Sequence, residues 1–334
     1  MEIGIFNVTD VLKTLLGILL IIIIILKLFA HFTMGVCKSK KKMTGKTVLL
    51  TGCVTGIGKE IARDLAGRGA RLIMADVNYE GALKVKEQIS AESGNKNIVV
   101  KYVDMSSFKS IRSFAEEINK EETQLDVLIH NAGTVTVFDR KLSEDGIEYT
   151  MAVNFYGPFL LTHLLIDLLK RSAPSRIVIT ASLFHHLGWL DLNDPCPKDI
   201  WFPAWAYMNS KLASVIWTLE LAKRLKGTGV TVNCLHPGLV DTPIWHHCPT
   251  ALLLIINAIL SLYAKTPQQG AQTTIHLAVA EELKDVSGKY FMDCKEYGLL
   301  TKKVTDPSKG KKFWEICEKI TQLQPSDPKI SSQS

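Results

Sequence analysis

The sequence predicts one doubly wound α/β domain with a mainly parallel sheet, tethered by an N-terminal membrane-anchor helix. Three observations support this prediction. Short apolar strands alternate with helical segments through residues 44–300, a glycine-rich turn follows the first strand, and an uninterrupted apolar run precedes it. With 334 residues, 47% of them hydrophobic, the chain is long enough to bury one large core.

The apolar run covers residues 14–26, and further apolar residues follow Lys27. Residues 14–36 are long enough to span about 30 Å of hydrocarbon, with the Lys27 ammonium reaching toward the headgroups. A cleaved signal peptide is the competing interpretation, because the run has a suitable length. Against it, the segment before the run carries Glu2 and Asp10 and lacks a basic region, and no convincing cleavage site follows.

Lysines cluster on the far side of the apolar run, at positions 38, 40, 41, 42 and 46. The positive-inside rule places that side in the cytosol. We therefore predict a single-pass anchor at residues 1–36, a basic linker at 37–43 and a catalytic domain at 44–300 that faces the cytosol. The endoplasmic reticulum membrane is the expected location, and lipid droplets and the mitochondrial membrane remain alternatives.

The net charge of +6 comes largely from this lysine run and from a second one at residues 302–312. Neither run is interleaved with aromatic residues or accompanied by a nucleic-acid motif, so no nucleic-acid partner is expected. The seven cysteines are odd in number and include no C-x-x-C pair, a pattern typical of a reducing compartment. No metal site is predicted.

A predicted buried strand at residues 46–50 leads directly into the glycine-rich turn, and helical periodicity follows. A strand, a glycine-rich turn and a helix place backbone N–H groups and the helix dipole against an anionic pyrophosphate. A P-loop is excluded, because Glu60 stands where that motif requires Ser or Thr. The predicted cofactor-binding residues of the turn are Thr51, Gly52, Thr55, Gly56, Ile57 and Gly58.

The next two strands end at acidic residues. Asp76 can hydrogen-bond both hydroxyls of an adenosine ribose and would repel a 2′-phosphate. Neither Thr55 nor Val77 supplies a cation for such a phosphate, so NAD is the expected cofactor and NADP the alternative. Asp104, after the third strand, is expected to meet the adenine amino group. The fourth strand delivers three further cofactor-binding residues, Asn131, Ala132 and Gly133.

Tyr207 and Lys211 are four residues apart, which places both on one face of a helix with Cβ atoms about 5–6 Å apart. An ammonium beside a phenol favours the phenolate and lowers a pKa that starts near about 10. A tyrosine tuned in this way can exchange a proton with an alcohol or carbonyl oxygen near neutral pH. The pair alone is common by chance, but its place after a dinucleotide turn and after Ser182 favours catalysis.

Five motifs occur in a defined order: TGCVTGIG at 51–58, NAG at 131–133, the serine at 182, YMNSK at 207–211 and HPG at 236–238. In these motifs residues 44–300 resemble the classical short-chain dehydrogenase/reductase family. Segments such as APSRIVITASLFHHLG and KTPQQGAQT, together with the apolar N-terminus, resemble its membrane-anchored retinol dehydrogenases. The resemblance implies a Rossmann-type domain, a nicotinamide cofactor and a lipophilic small-molecule substrate.

The same resemblance implies a role for each catalytic residue. Tyr207 would be the acid/base, and Ser182 would position the reacting oxygen. Lys211 would lower the pKa of Tyr207 and hold the nicotinamide ribose, and Asn154 would hold a water that relays protons to Lys211. The nicotinamide site would be shaped by Pro237, Gly238 and Thr242.

Three positions depart from the family pattern. His130 replaces an asparagine, which is expected to change hydrogen bonding at the strand end rather than the chemistry. Ala181 replaces the serine usual before Ser182 and leaves the catalytic position intact. Val77, after Asp76, stands where the retinol-type enzymes often carry an arginine that suits NADP. An NAD enzyme would favour alcohol oxidation.

Other features are assigned to packing or to the substrate entrance. His185 and His186 follow the catalytic serine, but no nucleophile-elbow motif surrounds it, so they are expected to line the entrance rather than bind metal. The apolar residues 251–263 form either a core helix or a substrate lid at the membrane surface. Residues 313–320 have one apolar helical face and are expected to dock on the domain, and residues 324–334 are expected to be disordered.

The sequence thus predicts hydride transfer between the cofactor and a lipophilic alcohol or aldehyde, with retinol and retinal as the first candidates. A steroid or a farnesol-like isoprenoid alcohol is the alternative substrate. A non-catalytic nucleotide-binding scaffold on the reticulum or on lipid droplets is an alternative of another class. The joint presence of all four catalytic residues argues against it. The sequence does not predict the oligomeric state.

Overall fold

A computed structural model of the chain describes residues 34–136, 140–195, 204–241 and 264–331, together with six positions between residues 13 and 24. The described strands are β1 (Thr47–Thr51), β2 (Arg71–Asp76), β3 (Ile98–Tyr102), β4 (Val127–His130), β5 (Ser175–Thr180), β6 (Val230–His236), β7 (Lys289–Met292) and β8 (Lys295–Glu296). They form one sheet in the order β3-β2-β1-β4-β5-β6-β7-β8. Strands β1 to β7 run parallel and β8 pairs antiparallel to β7. The predicted fold class is confirmed.

The described helices are α1 (Gly56–Gly67), α2 (Tyr79–Ser93), α3 (Phe108–Glu121), α4 (Tyr149–Met151), α5 (Gly157–Arg171), α6 (Trp205–Arg224), α7 (Pro267–Val279), α8 (Lys302–Thr305) and α9 (Pro307–Ile320). They cover both faces of the sheet, with α1, α2 and α7 on one face and α3, α5, α6 and α9 on the other. Two hydrophobic cores result, one on each side of the strands.

Strand β1 shows how the sequence separates these two cores. All five of its residues are buried, as expected for a central parallel strand covered on both faces. Successive side chains point to opposite faces, so Leu49 joins the core under α3 and α5 while Val48 and Leu50 join the core under α1. The strand order reverses between β1 and β4, and in open α/β sheets ligands bind at the carboxyl ends of such neighbouring strands.

The segment predicted as a basic linker is an extended arm that packs on the domain. In this N-terminal arm (residues 34–43) exposure alternates, with Lys38, Lys40 and Lys42 outward and the odd-numbered residues toward the domain. The arm ends at Met43, which is buried in the core under α1. Between Gly35 and Met43, the backbone carbonyls of Ser39 and Lys41 accept hydrogen bonds from the Arg68 guanidinium. The arm therefore has a fixed course over the domain surface.

The expectation of disorder at residues 324–334 is wrong for the described part of that segment. Ile330 is 3% exposed, and its carbonyl accepts a hydrogen bond from Arg224 Nη1 at 3.2 Å. Asp327 pairs with the Arg112 guanidinium at 2.9 Å. Composition suggested disorder because apolar residues are few, but one buried isoleucine and two arginine contacts are enough to fix the backbone. The predicted docking of residues 313–320 is confirmed by the burial of Phe313, Trp314 and Cys317.

The predicted anchor at residues 1–36 lies almost entirely outside the described residues. Among the described residues one helical stretch, Tyr149–Arg171, is long and apolar enough to cross a membrane. Its most apolar window is 89% buried inside the domain. This stretch is therefore a core element of the α/β domain.

Candidate active site

A cavity of about 450 Å³ lies at the carboxyl edge of the sheet. Its walls come from the turn after β1, the ends of β2 to β6 and the first turns of α6. The predicted site residues that line it are Gly52, Thr55, Gly56, Ile57, Gly58, Asp76, Asp104, Asn131, Ala132, Gly133, Ser182, Tyr207, Lys211, Pro237 and Gly238. Thr51 and Asn154 lie behind these walls, and Thr242 falls outside the described residues.

The glycine-rich turn brings two backbone segments into close approach. Gly52 has a φ of +72°, and a Cβ there would lie 2.6 Å from the Ala132 Cα. A Cβ on Gly58 would overlap the Gly52 carbonyl oxygen. Only glycine fits at either position. Asn131 Nδ2 donates to the Gly52 carbonyl at 2.7 Å, and Thr51 Oγ1 accepts the N–H groups of Asn131 and Ala132 at 3.2 Å each, which joins the turn to β4.

The geometry of this turn fits the pyrophosphate of a dinucleotide. Helix α1 begins directly at the cavity wall, and its N-cap residue Thr55 makes no side-chain capping hydrogen bond. The first-turn N–H groups therefore point at the cavity without a side-chain acceptor, and the positive end of the helix dipole favours an anion there. The residues present suit the cofactor that the sequence predicts for this site.

Asp76 has a structural function that the sequence did not reveal. Its Oδ2 accepts the N–H groups of Cys53 at 2.8 Å and Val54 at 3.3 Å, and its Oδ1 accepts the N–H of Asn78 at 3.0 Å. The carboxylate thus fixes the glycine-rich turn while it also lines the cavity. A carboxylate has about four acceptor positions, so one remains for a ribose hydroxyl, where the sequence led us to expect hydrogen bonds to both hydroxyls. Val77 beside it is 57% exposed and lines the same cavity.

Three of the four predicted catalytic groups converge where β5 meets α6. Tyr207 and Lys211 lie one turn apart on α6, and the Lys211 Nζ is 5.4 Å from the centroid of the Tyr207 ring. Nζ donates to the Thr180 carbonyl at 2.9 Å, which holds the ammonium at the end of β5. Ser182 follows two residues later, is buried, and its Oγ accepts the N–H of Phe184 at 3.3 Å.

Burial dominates the electrostatics of these groups. It raises the pKa of Tyr207, and a hydrogen bond with Ser182 acts in the opposite direction. The net direction is therefore opposite to the lowered pKa expected from the neighbouring lysine. Burial also lowers the pKa of Lys211 to about 8, because a desolvated ammonium loses its proton more easily.

Asn154 lies in a π-helical turn, Ala152–Tyr156, between α4 and α5. Such turns interrupt α-helices mostly as single bulges, frequently at functional sites. Its Oδ1 accepts the N–H of Thr134 at 2.8 Å, and its Nδ2 donates to the Thr134 carbonyl at 2.9 Å and to Ser210 Oγ at 3.1 Å. The amide thus ties the loop after β4 to α6. Its expected part in proton relay stays a prediction.

His185 was expected to line the substrate entrance, but the structure places it in the interior of the domain. It is 1% exposed, and its Nδ1 lies 2.7 Å from the Ser182 carbonyl. A carbonyl can only accept, so Nδ1 carries the proton. Burial lowers the pKa of His185 to about 4, and the ring is neutral at pH 7. His185 therefore supports the backbone of Ser182.

His130, the first departure from the family pattern, is also buried. Its Nε2 lies 2.8 Å from Thr162 Oγ1 on α5, and burial lowers its pKa to about 3. The ring contributes hydrogen bonding and packing at the end of β4, in agreement with the expectation. Sequence reasoning missed several cavity residues that no motif marks, among them Asn78, Tyr149 and Thr180, and it gave no role to His236 of the HPG motif.

One predicted feature of the substrate side, the apolar stretch 251–263, falls outside the described residues. Within the described part of the chain, Ser182 and Tyr207 line the cavity, and the short 3₁₀ helix Leu183–Leu187 that follows Ser182 places the Phe184 ring 6.1 Å from the Tyr207 ring.

Comparison with known proteins agrees with this architecture. The model of the short chain dehydrogenase family matches residues 46–251. A Mycobacterium paratuberculosis protein of known structure is 24% identical with a TM-score of 0.69, covering 87% of this chain and 98% of that one. The complex of Pseudomonas aeruginosa RhlG with NADP is 27% identical with a TM-score of 0.61, covering 75% of this chain and 95% of that one.

Curated relatives share more of the sequence. Retinol dehydrogenase 12 of Bos taurus is 43% identical over 86% of this chain and 90% of its own. Human retinol dehydrogenase 11 is 42% identical over 84% and 87%, and human retinol dehydrogenase 13 is 44% identical over 80% and 82%. The chain therefore belongs to the short-chain dehydrogenase family of NAD(P)-dependent oxidoreductases and is similar to the retinol dehydrogenases within it.

Proposed function

We propose that this protein is a membrane-anchored dehydrogenase that oxidises a lipophilic alcohol, with retinol as the first substrate to test and NAD⁺ as the preferred cofactor. The observation that carries the proposal is the convergence of Ser182, Tyr207 and Lys211 in the wall of the dinucleotide cavity, with the exposed Phe184 ring beside Tyr207. Similarity to retinol dehydrogenases supports the retinoid substrate. The apolar N-terminal run supports an anchor in the endoplasmic reticulum membrane, with the domain in the cytosol.

In this proposal the chain's own residues handle the proton and the geometry. Tyr207 takes the hydroxyl proton of the alcohol, and Ser182 hydrogen-bonds the same oxygen. The Lys211 ammonium stabilises the phenolate that Tyr207 must become before it can accept that proton. Bound nicotinamide would supply the hydride acceptor. Asn154, through Thr134 and Ser210, fixes the loop and helix that flank this centre.

The preference for NAD⁺ follows from the end of β2. The Asp76 carboxylate lines the cavity and would repel a 2′-phosphate, while Val77 offers no cation for one. Because Asp76 also accepts three backbone N–H groups, its charge is fixed in position by the turn. Both features favour a cofactor with a free 2′-hydroxyl.

The first experiment measures initial rates of all-trans-retinol oxidation by the detergent-purified full chain, with NAD⁺ and NADP⁺ in parallel. Tyr207→Phe serves as the blank, because it removes one oxygen and keeps the ring packed against Phe184. We expect turnover with NAD⁺ and a loss of at least about 10³-fold in the variant, with cofactor binding retained.

Each outcome decides a separate part of the proposal. Faster turnover with NADP⁺ would keep the enzyme and reject the cofactor preference. Turnover of steroid or isoprenoid alcohols in place of retinol would keep the mechanism and change the substrate. Absence of Tyr207-dependent turnover with every lipophilic alcohol tested would contradict the proposed activity.

A further inference from the structure

Three large apolar side chains lie exposed within seven residues after Ser182. Phe184 is 40% exposed, Leu187 63% and Trp189 73%. Apolar residues scattered singly over a surface are normal, but a contiguous exposed group marks a site of contact with a protein or a membrane.

These side chains are exposed although the backbone that carries them is well fixed. The N–H of Trp189 donates to Asn209 Oδ1 at 2.7 Å, and Asn209 Nδ2 donates back to the Trp189 carbonyl at 2.8 Å. The ring of Phe184 contacts the ring of Tyr207 with centroids 6.1 Å apart. The exposed group therefore belongs to a rigid rim that begins at the catalytic tyrosine.

A cluster of lysines borders the same rim. Lys303 Nζ lies 3.4 Å from the Gly188 carbonyl, and Lys312 Nζ lies 3.4 Å from Asn193 Oδ1. Leu299, just before α8, is 72% exposed as well. All five lysines of this segment are exposed: Lys302, Lys303, Lys309, Lys311 and Lys312. These five lysines outnumber the carboxylates of residues 184–195 and 299–312, which are Asp191, Asp194 and Asp306.

The N-terminal arm leaves the domain at the same edge of the sheet. The N–H of Gly35 donates to Asp293 Oδ1 at 3.3 Å, directly after β7. Asp293 forms an ion pair with Lys265, whose side chain lies against Gly238 of the cavity wall. The first residues of the arm therefore lie at the carboxyl edge, where the cavity is, and the predicted anchor precedes them directly in sequence.

We propose that the apolar–basic face, formed by Phe184, Leu187, Trp189, Leu299, Lys302, Lys303 and Lys312, rests on the surface of an anionic phospholipid bilayer and turns the mouth of the cavity toward the lipid. Apolar side chains with a lysine border match the headgroup boundary, where acyl chains meet phosphates. A bilayer, rather than a second protein, is the partner that the chain favours, because the N-terminal arm that follows the apolar run in sequence starts at the same edge. A lipophilic substrate would then reach Tyr207 without crossing water, a step that rests on the proposed function.

The first test uses tryptophan quenching and does not depend on activity. The full chain is reconstituted into vesicles with and without brominated acyl chains, and wild type is compared with Trp189→Phe. We expect removal of Trp189 to lower the quenched fraction of the fluorescence clearly, since this side chain would lie beside the bromines. An equal quenched fraction in both proteins would overturn the proposal, because Trp189 would then face water or protein.

The second test addresses the lysines. Lys302→Glu, Lys303→Glu and Lys312→Glu are combined in one variant. Lys84→Glu, Lys96→Glu and Lys120→Glu, on exposed positions far from the face, form the matched control. The part of the quenched fluorescence that depends on Trp189 is measured in vesicles with about 30% anionic lipid. We expect it to fall at least about threefold in the first variant and to stay unchanged in the control. Equal quenching in both variants would reject the contribution of charge.

Activity measurements separate this inference from the proposed function. With a lipophilic alcohol dissolved in the bilayer, Leu187→Glu should raise KM at least about fivefold and leave kcat unchanged. With a short water-soluble alcohol the same variant should match wild type. A KM unchanged for the bilayer substrate would contradict lipid-side entry. If bromine quenching of Trp189 persisted while the protein oxidised no alcohol, the membrane contact would stand and only the proposed activity would be rejected.

Discussion

At the scale of single residues, Lys211 carries a charge that titrates in the working pH range. Its ammonium is buried against the Thr180 carbonyl, and burial lowers its pKa to about 8. The group is charged below that pH and loses its proton as the pH rises through it. We expect kcat/KM for alcohol oxidation to fall above about pH 8, because the charge that stabilises the Tyr207 phenolate is then lost.

The measurement is the pH profile of kcat/KM, which reports groups of the free enzyme. Lys211→Arg keeps its charge throughout this range and should move the alkaline limb to higher pH, whatever its effect on the maximum rate. Lys289→Arg, in an exposed ion pair with Glu296, is the matched control and should leave the profile unchanged. An alkaline limb that stays in place in Lys211→Arg would assign the titration to another group.

The residue after β2 is expected to control the choice of cofactor. Val77 is exposed at the cavity wall, so an arginine there can reach a 2′-phosphate without displacing a buried group. We expect Val77→Arg to raise the ratio of kcat/KM for NADP⁺ over NAD⁺ by at least about tenfold. Val77→Gln supplies a polar chain without the charge and should leave the ratio near wild type.

Asp76→Ala should behave differently from Val77→Arg. It removes the acceptor of the Cys53 and Val54 N–H groups, so the glycine-rich turn loses part of its support. We expect weaker binding of both cofactors rather than a simple change of preference. A clean shift to NADP⁺ in Asp76→Ala would show that the turn keeps its shape without the carboxylate.

Site residues that belong to one short motif could be predicted from the sequence. The glycines of the turn and the Tyr207–Lys211 pair are recognisable because each motif lies within a few consecutive residues. The bonds of Asp76 to the turn and the burial of His185 under Ser182 depend on segments distant in sequence. The direction of the Tyr207 pKa depends on desolvation, which spacing does not report.

At the scale of elements, the N-terminal arm links the predicted anchor to the domain through Arg68. The guanidinium donates to the carbonyls of Ser39 and Lys41 at 2.9 Å each. Arg68→Ala removes both bonds, so local opening of the arm should become more frequent. We expect trypsin to cleave within residues 38–42 at least about ten times faster, with Arg63→Ala, which lacks contacts to the arm, as the control. Equal cleavage rates would mean that other contacts hold the arm.

Element types were more predictable than the connections between them. The strands at residues 47–51 and 71–76 follow from buried apolar runs, and α9 follows from its apolar face. Two connecting features escaped prediction. The arm looked like a linker because its lysines dominate the composition, while its alternating inward positions are small or mixed. The π-helical turn at Asn154 has no marker in the sequence that distinguishes it from ordinary helix.

At the scale of the whole molecule, the C-terminal segment closes the face formed by α3, α6 and α9. Asp327 binds Arg112 on α3, and the Ile330 carbonyl binds Arg224 on α6. Arg224 in turn pairs with Glu220 at 2.8 Å and lies over the Trp314 ring of α9, 4.2 Å from its centroid. Composition alone could not reveal the contacts of Asp327 and Ile330, because Arg112 and Arg224 are more than 100 residues away from them in sequence.

We therefore expect the last residues to contribute to global stability rather than to activity. Ile330→Ala removes a side chain buried in the core under α5 and α6 and should lower the free energy of unfolding by about 2–4 kcal/mol. Leu142→Ala, at an exposed apolar position, is the control and should change it by less than about 0.5 kcal/mol. Urea titration in detergent, followed by tryptophan fluorescence, measures both. If Ile330→Ala unfolded at the same urea concentration as Leu142→Ala, burial of the Ile330 side chain would contribute no stability and the C-terminal segment would be a surface appendage.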